Sequence, residues 1–311
     1  MPESRRLQSR AQRAAAAAQF AGDHGGVVHR GQLRSRGVGR DDVRAEVAAG
    51  RWQVAGRHTV LVGAGPLSAE AARWQAVWET GAGAVLDGAV ALLASGLAGF
   101  HTDRLDVSLP HRNRCHDVAG VTRHRRRAMP PTVGAGLPRV RPAHAAIHAA
   151  QWAVSDRQAA LVLCLVIQQR LVRPVDLVSA WAGVGRGRRR RLIAAVVADL
   201  CEGAQSLGEL DFARWCRRRG LPEPSRQVVR TTSRGRVYLD VAWEDVGLVV
   251  EVDGGHHAAA LAPVDDALRQ NDVVVEGSTV LRIPVIGLRL APDRFLDQVV
   301  RAHARLRALA A

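Results

Sequence analysis

Asp240, Glu251 and Asp253 lie in two short apolar runs, VYLDVAW over 237–243 and LVVEVD over 248–253. A carboxylate is costly in such a run, because burial disfavours its charged form. Side chains alternate along a strand, so Asp240 points away from Leu239 and Val241, while Glu251 and Asp253 share a face. The intervening WEDVG segment reads as a turn that pairs the runs antiparallel. A tight turn at Glu244 and Asp245 sets Asp240 opposite Val249, with Glu251 on the diagonal. A looser turn sets Asp240 directly opposite Glu251. In both registers the carboxylates converge, and like charges that close repel. A divalent cation resolves the repulsion. Mg2+ takes hard oxygen ligands, a few from protein and the rest from water, and such an ion activates water and steadies a phosphate during hydrolysis. The expected metal ligands are Asp240 and Glu251, with Asp253 either a third ligand or the group that orients His257, and the expected ion is Mg2+ or Mn2+. His256 and His257 follow, after Gly254 and Gly255. An imidazole titrates near neutrality and suits a general base. His257 is the better candidate, with His256 as the alternative. Arg269 and Arg282 can hold a phosphate or offset developing charge.

The elements that must position these groups can be read around them. A helix is expected over 206–219, with Ser206 and Glu209 in a capping-box pattern. Strands are expected over 227–231, 237–243, 248–253 and 279–285, and a closing helix over 292–309. Asp265, Asp266, Arg269, Asn271 and Asp272 are polar positions of a helix between the last two strands. This order predicts an α/β core with a mixed sheet.

The N-terminal third reads differently. Helical propensity over 6–20 ends at Gly25 and Gly26. Val43 and Val47 mark one face of a helix over 40–49, and residues 52–62 read as a two-stranded wing around Gly56. Short helices with a hairpin make a winged helix-turn-helix. Its second helix offers Arg40 and Arg44 to phosphates or base edges, beside Asp41, Asp42 and Glu46. In the middle, helices are expected over 68–78 and 83–97, and strands over 105–109 and 121–127. The second strand ends in Arg125, Arg126 and Arg127. A proline- and glycine-bearing linker is expected over 129–141. Helices follow over 143–152, 157–170, 174–181 and 192–200, the last preceded by Arg188 and Arg189 in the GVGRGRRRR run. Positive charge there opposes the helix dipole unless an anion sits beside it.

Two resemblances follow from these motifs. The text GGVVHRGQLRSRGVGRDDVRAEVAAGRW with VLVG resembles the N-terminal winged helix of AbiEi-type antitoxins, which bind DNA. The text GRVYLDVAWEDVGLVVEVDGGHH, with DDALRQNDVVVEGSTVLRIPVIGL, resembles the Vsr-like endonuclease domain of the PD-(D/E)xK superfamily. The second resemblance implies that Asp240 and Glu251 are the metal carboxylates. It also implies that Glu209 is the acidic residue of the first helix, and that Asp253 and His257 are the trailing Asp and His. The superfamily carries a lysine two residues after the second acid; this chain has Asp253 there. Together the resemblances imply a winged helix-turn-helix at 1–63, a mostly helical linker domain at 64–203, and a restriction-endonuclease-like α/β domain at 204–311.

Composition bounds the function. The chain has 311 residues and a formal charge of +15. Its 44 basic residues are all arginine. That balance favours a polyanionic partner, nucleic acid first. The cysteines form no CxxC pair, so neither a zinc site nor a disulfide framework is signalled. The N-terminus lacks the apolar stretch of a signal peptide, and no apolar run reaches the ~18 residues of a membrane span, so a cytoplasmic protein is expected. Two functions remain. One is a metal-dependent DNA endonuclease that hydrolyses phosphodiester bonds. The other is an antitoxin-like DNA-binding regulator, with a cognate toxin as partner and a silent nuclease-like domain. RNA is a third, weaker target on charge alone.

Overall fold

A computed structural model of the chain describes residues 9–202, 212–231, 237–253, 264, 267, 268, 271 and 280–310. The fold is of the mixed α/β class, with three sheets among the described residues. The chain divides into two compact units, one of residues 1–95 and 101–141, the other of 96–100 and 142–311. The middle region expected as a separate linker domain is thus divided between them near Arg141.

In the first unit, helix α1 (Arg10–Ala21) starts at Ser9, whose hydroxyl accepts the Gln12 N–H at 3.2 Å. Strand β1 (Val27–His29) leads into α2 (Arg30–Ser35) and α3 (Arg40–Ala48), followed by β2 (Trp52–Val54) and β3 (Thr59–Val62). The strands form an antiparallel sheet in the order β1-β3-β2. Ala17, Val28, Leu33, Val38, Val43, Trp52 and Val60 close a core between sheet and helices.

Asp42 and Glu46, expected as surface acids of α3, point inward instead. Glu46 accepts from Arg13 Nε at 2.6 Å and from Arg51 Nε at 2.6 Å. The hydrogen bonds from Arg51, aided by Arg13, lower its carboxyl to about 2. Asp42 Oδ2 accepts the Gly39 N–H at 2.9 Å. Two positions four apart thus staple α3 to α1 and β2, and its exposed face keeps Arg40, Asp41 and Arg44.

Helix α4 (Ala69–Thr80) belongs to this unit as well, because Trp74 packs with Val27, Leu61 and Ala71. The buried Glu79 carboxylate accepts the N–H groups of Arg57 at 2.9 Å and His58 at 2.7 Å, and the Thr59 hydroxyl at 2.7 Å. A Cβ at Gly56 would stand 2.5 Å from that carboxylate, so the tip of the hairpin requires glycine.

The single helix expected over 83–97 is instead strand β4 (Val85–Leu86) and short helix α5 (Gly88–Leu93). Asp87 separates them, its Oδ1 accepting the Gly88 N–H at 2.7 Å. Strand β4 pairs with β5 (Leu105–Pro110), which runs parallel to β6 (Val121–Arg126). The segment expected as a linker is joined to β4 by a bridge from Leu86 to Arg139 and closed on itself by one from Thr132 to Val140.

The second unit begins with α6 (Pro142–Trp152), α7 (Asp156–Gln168), α8 (Pro174–Ala182) and α9 (Arg190–Glu202). Then come α10 (Phe212–Arg218), β7 (Arg226–Thr231), β8 (Val237–Trp243), β9 (Leu248–Asp253), β10 (Val280–Pro284), α11 (Val285–Leu290) and α12 (Pro292–Ala310). The sheet order is β10-β9-β8-β7, with β7, β8 and β9 antiparallel and β10 parallel to β9. Burial alternates along β9, with Leu248, Val250 and Val252 inward, the period that a half-covered sheet imposes. Phe212, Phe295, Leu296 and Val299 cover that face, together with Trp243. Each such side chain contributes roughly 1.5–3 kcal/mol by burial. The Trp243 indole N–H donates to the Pro222 carbonyl at 2.9 Å, which fixes the extended entry to β7. Arg289 on α11 joins the buried Asp199 on α9 by two bonds of 3.0 and 3.1 Å, so the helical segment and the sheet form one unit.

Burial pushes the thiols of Cys164 and Cys216 up to about 12, whereas Cys115 and Cys201 are half-buried. Because the thiolate is the reactive species, iodoacetamide applied to the native protein at pH 8 should label Cys115 and Cys201 and spare the other two. Peptide mapping that finds Cys164 or Cys216 alkylated before unfolding would contradict this packing.

Candidate functional site

The carboxylate face is built by three neighbouring strands. The turn between β8 and β9 is the looser of the two expected, with Trp243 opposite Leu248 and Gly247 at φ 69°. A left-handed residue at that point favours glycine. Asp240 therefore pairs directly with Glu251. Directly opposed residues stand with Cβ atoms roughly 4.5–5.5 Å apart, close enough for both carboxylates to address one cation. Both are half-buried. Asp253 is two residues further along β9, opposite Tyr238, a rise of about 6.6 Å.

Among the described residues, no group of three or more His, Cys, Asp or Glu side chains could hold a metal ion. Asp240, Glu251 and Asp253, expected together as metal ligands, do not form such a group, and a pair of carboxylates would need water or further residues to complete a cation's shell. Two hard-oxygen ligands with water suit Mg2+ or Mn2+, not the closed four-ligand set of structural zinc. Of the other residues expected at the site, Glu209, His257 and Arg269 lie outside the described residues.

Arg282 is brought to this face by topology. Strand β10 runs parallel to β9 and places Arg282 in register with Glu251. Its Nε donates to Glu251 Oε2 at 3.1 Å, with side-chain exposures of 75% and 32%. The chain contains no lysine, so any cation beside these acids is an arginine or a protonated histidine. Arg282 is the arginine the sheet supplies. Its main chain is held by Asn271, a buried residue to which the sequence reading gave no role. The signal was present: Val264, Leu268 and Asn271 fall on one helical face, and an amide at an apolar position requires partners.

The other expected nucleic-acid contacts separate by their partners. Arg40, Arg127 and Arg188 are exposed. Arg44 is exposed and paired with Asp41 at 3.2 Å. Arg125 donates to the His111 carbonyl and to Cys115 Sγ, each at 2.9 Å. Arg189, at φ 55°, donates to Asp156 at 2.8 Å. Arg190 donates to the Val184 carbonyl at 2.6 Å and lies over the Trp181 ring. Arg189 thus meets a carboxylate at the start of α7, and Arg190 meets a carbonyl of the preceding loop.

Arg126 turns inward. It donates to Ser108 Oγ at 3.2 Å and reaches the fully buried Asp87 at 3.4 Å, while Ser108 donates to Asp87 at 2.5 Å. Removing one partner of a buried charge pair costs about 3–5 kcal/mol. Arg126→Ala should therefore lower the stability of the first unit by about 3 kcal/mol, and Arg127→Ala by less than about 0.5 kcal/mol. Urea unfolding of both variants checks this. Equal midpoints would show that Arg126 does not neutralise Asp87.

No protein-family model matches the chain, and no curated protein matches it significantly. Among the described residues, no helix is long and apolar enough to cross a membrane.

Proposed function

We propose that the second unit is a divalent-cation-dependent endonuclease acting on DNA, and that its fold is of the restriction-endonuclease-like kind. One observation carries the reading. Asp240 and Glu251 sit directly opposite each other on adjacent strands, and a parallel third strand adds Arg282. The element order supports it too: a helix, three antiparallel strands, and a fourth strand parallel to the third. On this reading Asp240 and Glu251 bind Mg2+ or Mn2+, which when bound activates water and neutralises phosphate charge. Arg282 orients the scissile phosphate through its planar donors. His257 would serve as the general base that takes the proton from the attacking water. The first unit, read as a winged helix-turn-helix, holds duplex DNA through Arg40 and Arg44, with Arg127 adding a phosphate contact; Arg188, exposed in the second unit, offers a phosphate contact there.

A second reading is favoured by the Arg282–Glu251 bond, which already satisfies one carboxylate oxygen. In it the nuclease-like unit is silent and the protein is an antitoxin-like DNA-binding regulator. The test is incubation of supercoiled plasmid with the full chain in Mg2+, in Mn2+ and in EDTA. Nicking or linearisation that needs the cation supports the endonuclease. Salt-sensitive duplex binding without cleavage in any condition sinks it and leaves the regulator.

A further inference from the structure

Asn271 is 2% exposed and lies beside Val264 and Leu268 of the core. Its Oδ1 accepts the Arg282 N–H at 3.1 Å, and its Nδ2 donates to the Arg282 carbonyl at 2.9 Å. One side chain thus holds both main-chain groups of one residue, as a neighbouring strand would. Among the described strands, β10 is at the edge of its sheet, and the amide meets that edge at the residue whose guanidinium meets Glu251. The amide can face only one way, since a flipped Asn would set N–H against N–H and oxygen against carbonyl. Gln298 reinforces it. Its Oε1 accepts from Asn271 Nδ2 at 3.3 Å, and its Nε2 donates to the Leu268 carbonyl at 2.8 Å. Gln298 is itself 3% exposed. Two buried amides in an apolar cluster are an expensive way to close a sheet edge, because each polar atom must keep its partner. Their effect is to fix β10 against sliding or twisting at Arg282.

We propose that Asn271 is a positioning residue that acts through Arg282, holding the guanidinium on Glu251. This rests on the reading of Glu251 as a metal ligand. An arginine so placed opposes cation binding at the carboxylate and assists the reaction on the phosphate. A side chain that positions Arg282 must therefore change both.

The experiment compares wild type, Asn271→Leu, Asn271→Asp, Arg282→Ala and the double variant Asn271→Leu/Arg282→Ala as full chains. Mn2+ affinity is measured by titration calorimetry, and Mn2+-dependent plasmid cleavage gives kcat and KM. Arg282→Ala should bind Mn2+ about 3–10-fold more tightly, because a nearby positive charge is gone. It should also lose about 10-fold or more in kcat, with KM little changed. Asn271→Leu should reproduce both signatures, and the double variant should be no worse than Arg282→Ala alone, because the two residues act in series. If Asn271→Leu does not fold, Asn271→Asp replaces it, since it keeps the acceptor for the Arg282 N–H and loses the donor to the Arg282 carbonyl and to Gln298 Oε1. Asn271 variants with wild-type Mn2+ affinity and kcat, or effects that add to those of Arg282→Ala, overturn this inference alone. A folded wild type that neither binds Mn2+ nor cleaves overturns the metal reading and this inference with it.

Discussion

Glu251→Ala should abolish cation-dependent cleavage, with a fall of about 100-fold or more, while duplex affinity and stability stay near wild type. The loss is large because a ligand that sets the ion's position acts on every later step. The stability change is small because the pair that Glu251 forms with Arg282 is partly exposed, at 32% and 75% of the two side chains. Such pairs contribute about 0–1 kcal/mol. Removing one of two opposed carboxylates also relieves repulsion across β8 and β9. Asp240→Ala should behave alike. Glu251→Gln keeps the shape and one oxygen but loses the charge, so it should bind Mn2+ more weakly than wild type and cleave at a rate close to that of Glu251→Ala. The assay is plasmid cleavage in Mg2+ and Mn2+, with thermal unfolding of the same preparations. Wild type and Glu251→Ala with the same cleavage trace would show that any nuclease activity comes from elsewhere, and the DNA-binding reading would then stand ahead.

Arg289→Ala should destabilise the second unit by about 3–5 kcal/mol, the cost of breaking a buried ion pair from one side. Asp199 is 3% exposed at its side chain and accepts two bonds from Arg289, at 3.0 and 3.1 Å. At about 2–4 °C per kcal/mol for a unit of this size, the melting temperature should fall by about 10 °C. The double variant Asp199→Leu/Arg289→Met should recover most of the loss, because replacing both partners by apolar groups of similar volume is often close to neutral. Differential scanning calorimetry separates the cases. A shift under 2 °C in Arg289→Ala would mean that water screens the pair and that α9 is held to α11 by apolar contact alone.

The amino-acid sequence by itself determined most element identities, and it did so through periodicity. Alternation over 248–253 and the apolar faces of the helices are local patterns, and a strand or an amphipathic helix is their direct physical consequence. The shared face of Glu251 and Asp253 follows from the same alternation. Three things needed the tertiary structure. The first is register. The sequence left Asp240 opposite either Val249 or Glu251, and the Glu244–Gly247 turn, with Gly247 left-handed, selects Glu251. The second is the inward turn of charged residues. Asp42, Glu46 and Asp87 look like surface charges in a sequence, and distant partners such as Arg13, Ser108 and Arg126 offset the cost of their burial. The third is the meeting of Glu251, Arg282 and Asn271. Their separation along the chain is bridged by a parallel strand and a buried amide, and no local pattern encodes which edge of a sheet a returning strand will join. Local periodicity is written in consecutive residues, whereas partners are chosen by the packing of the whole unit.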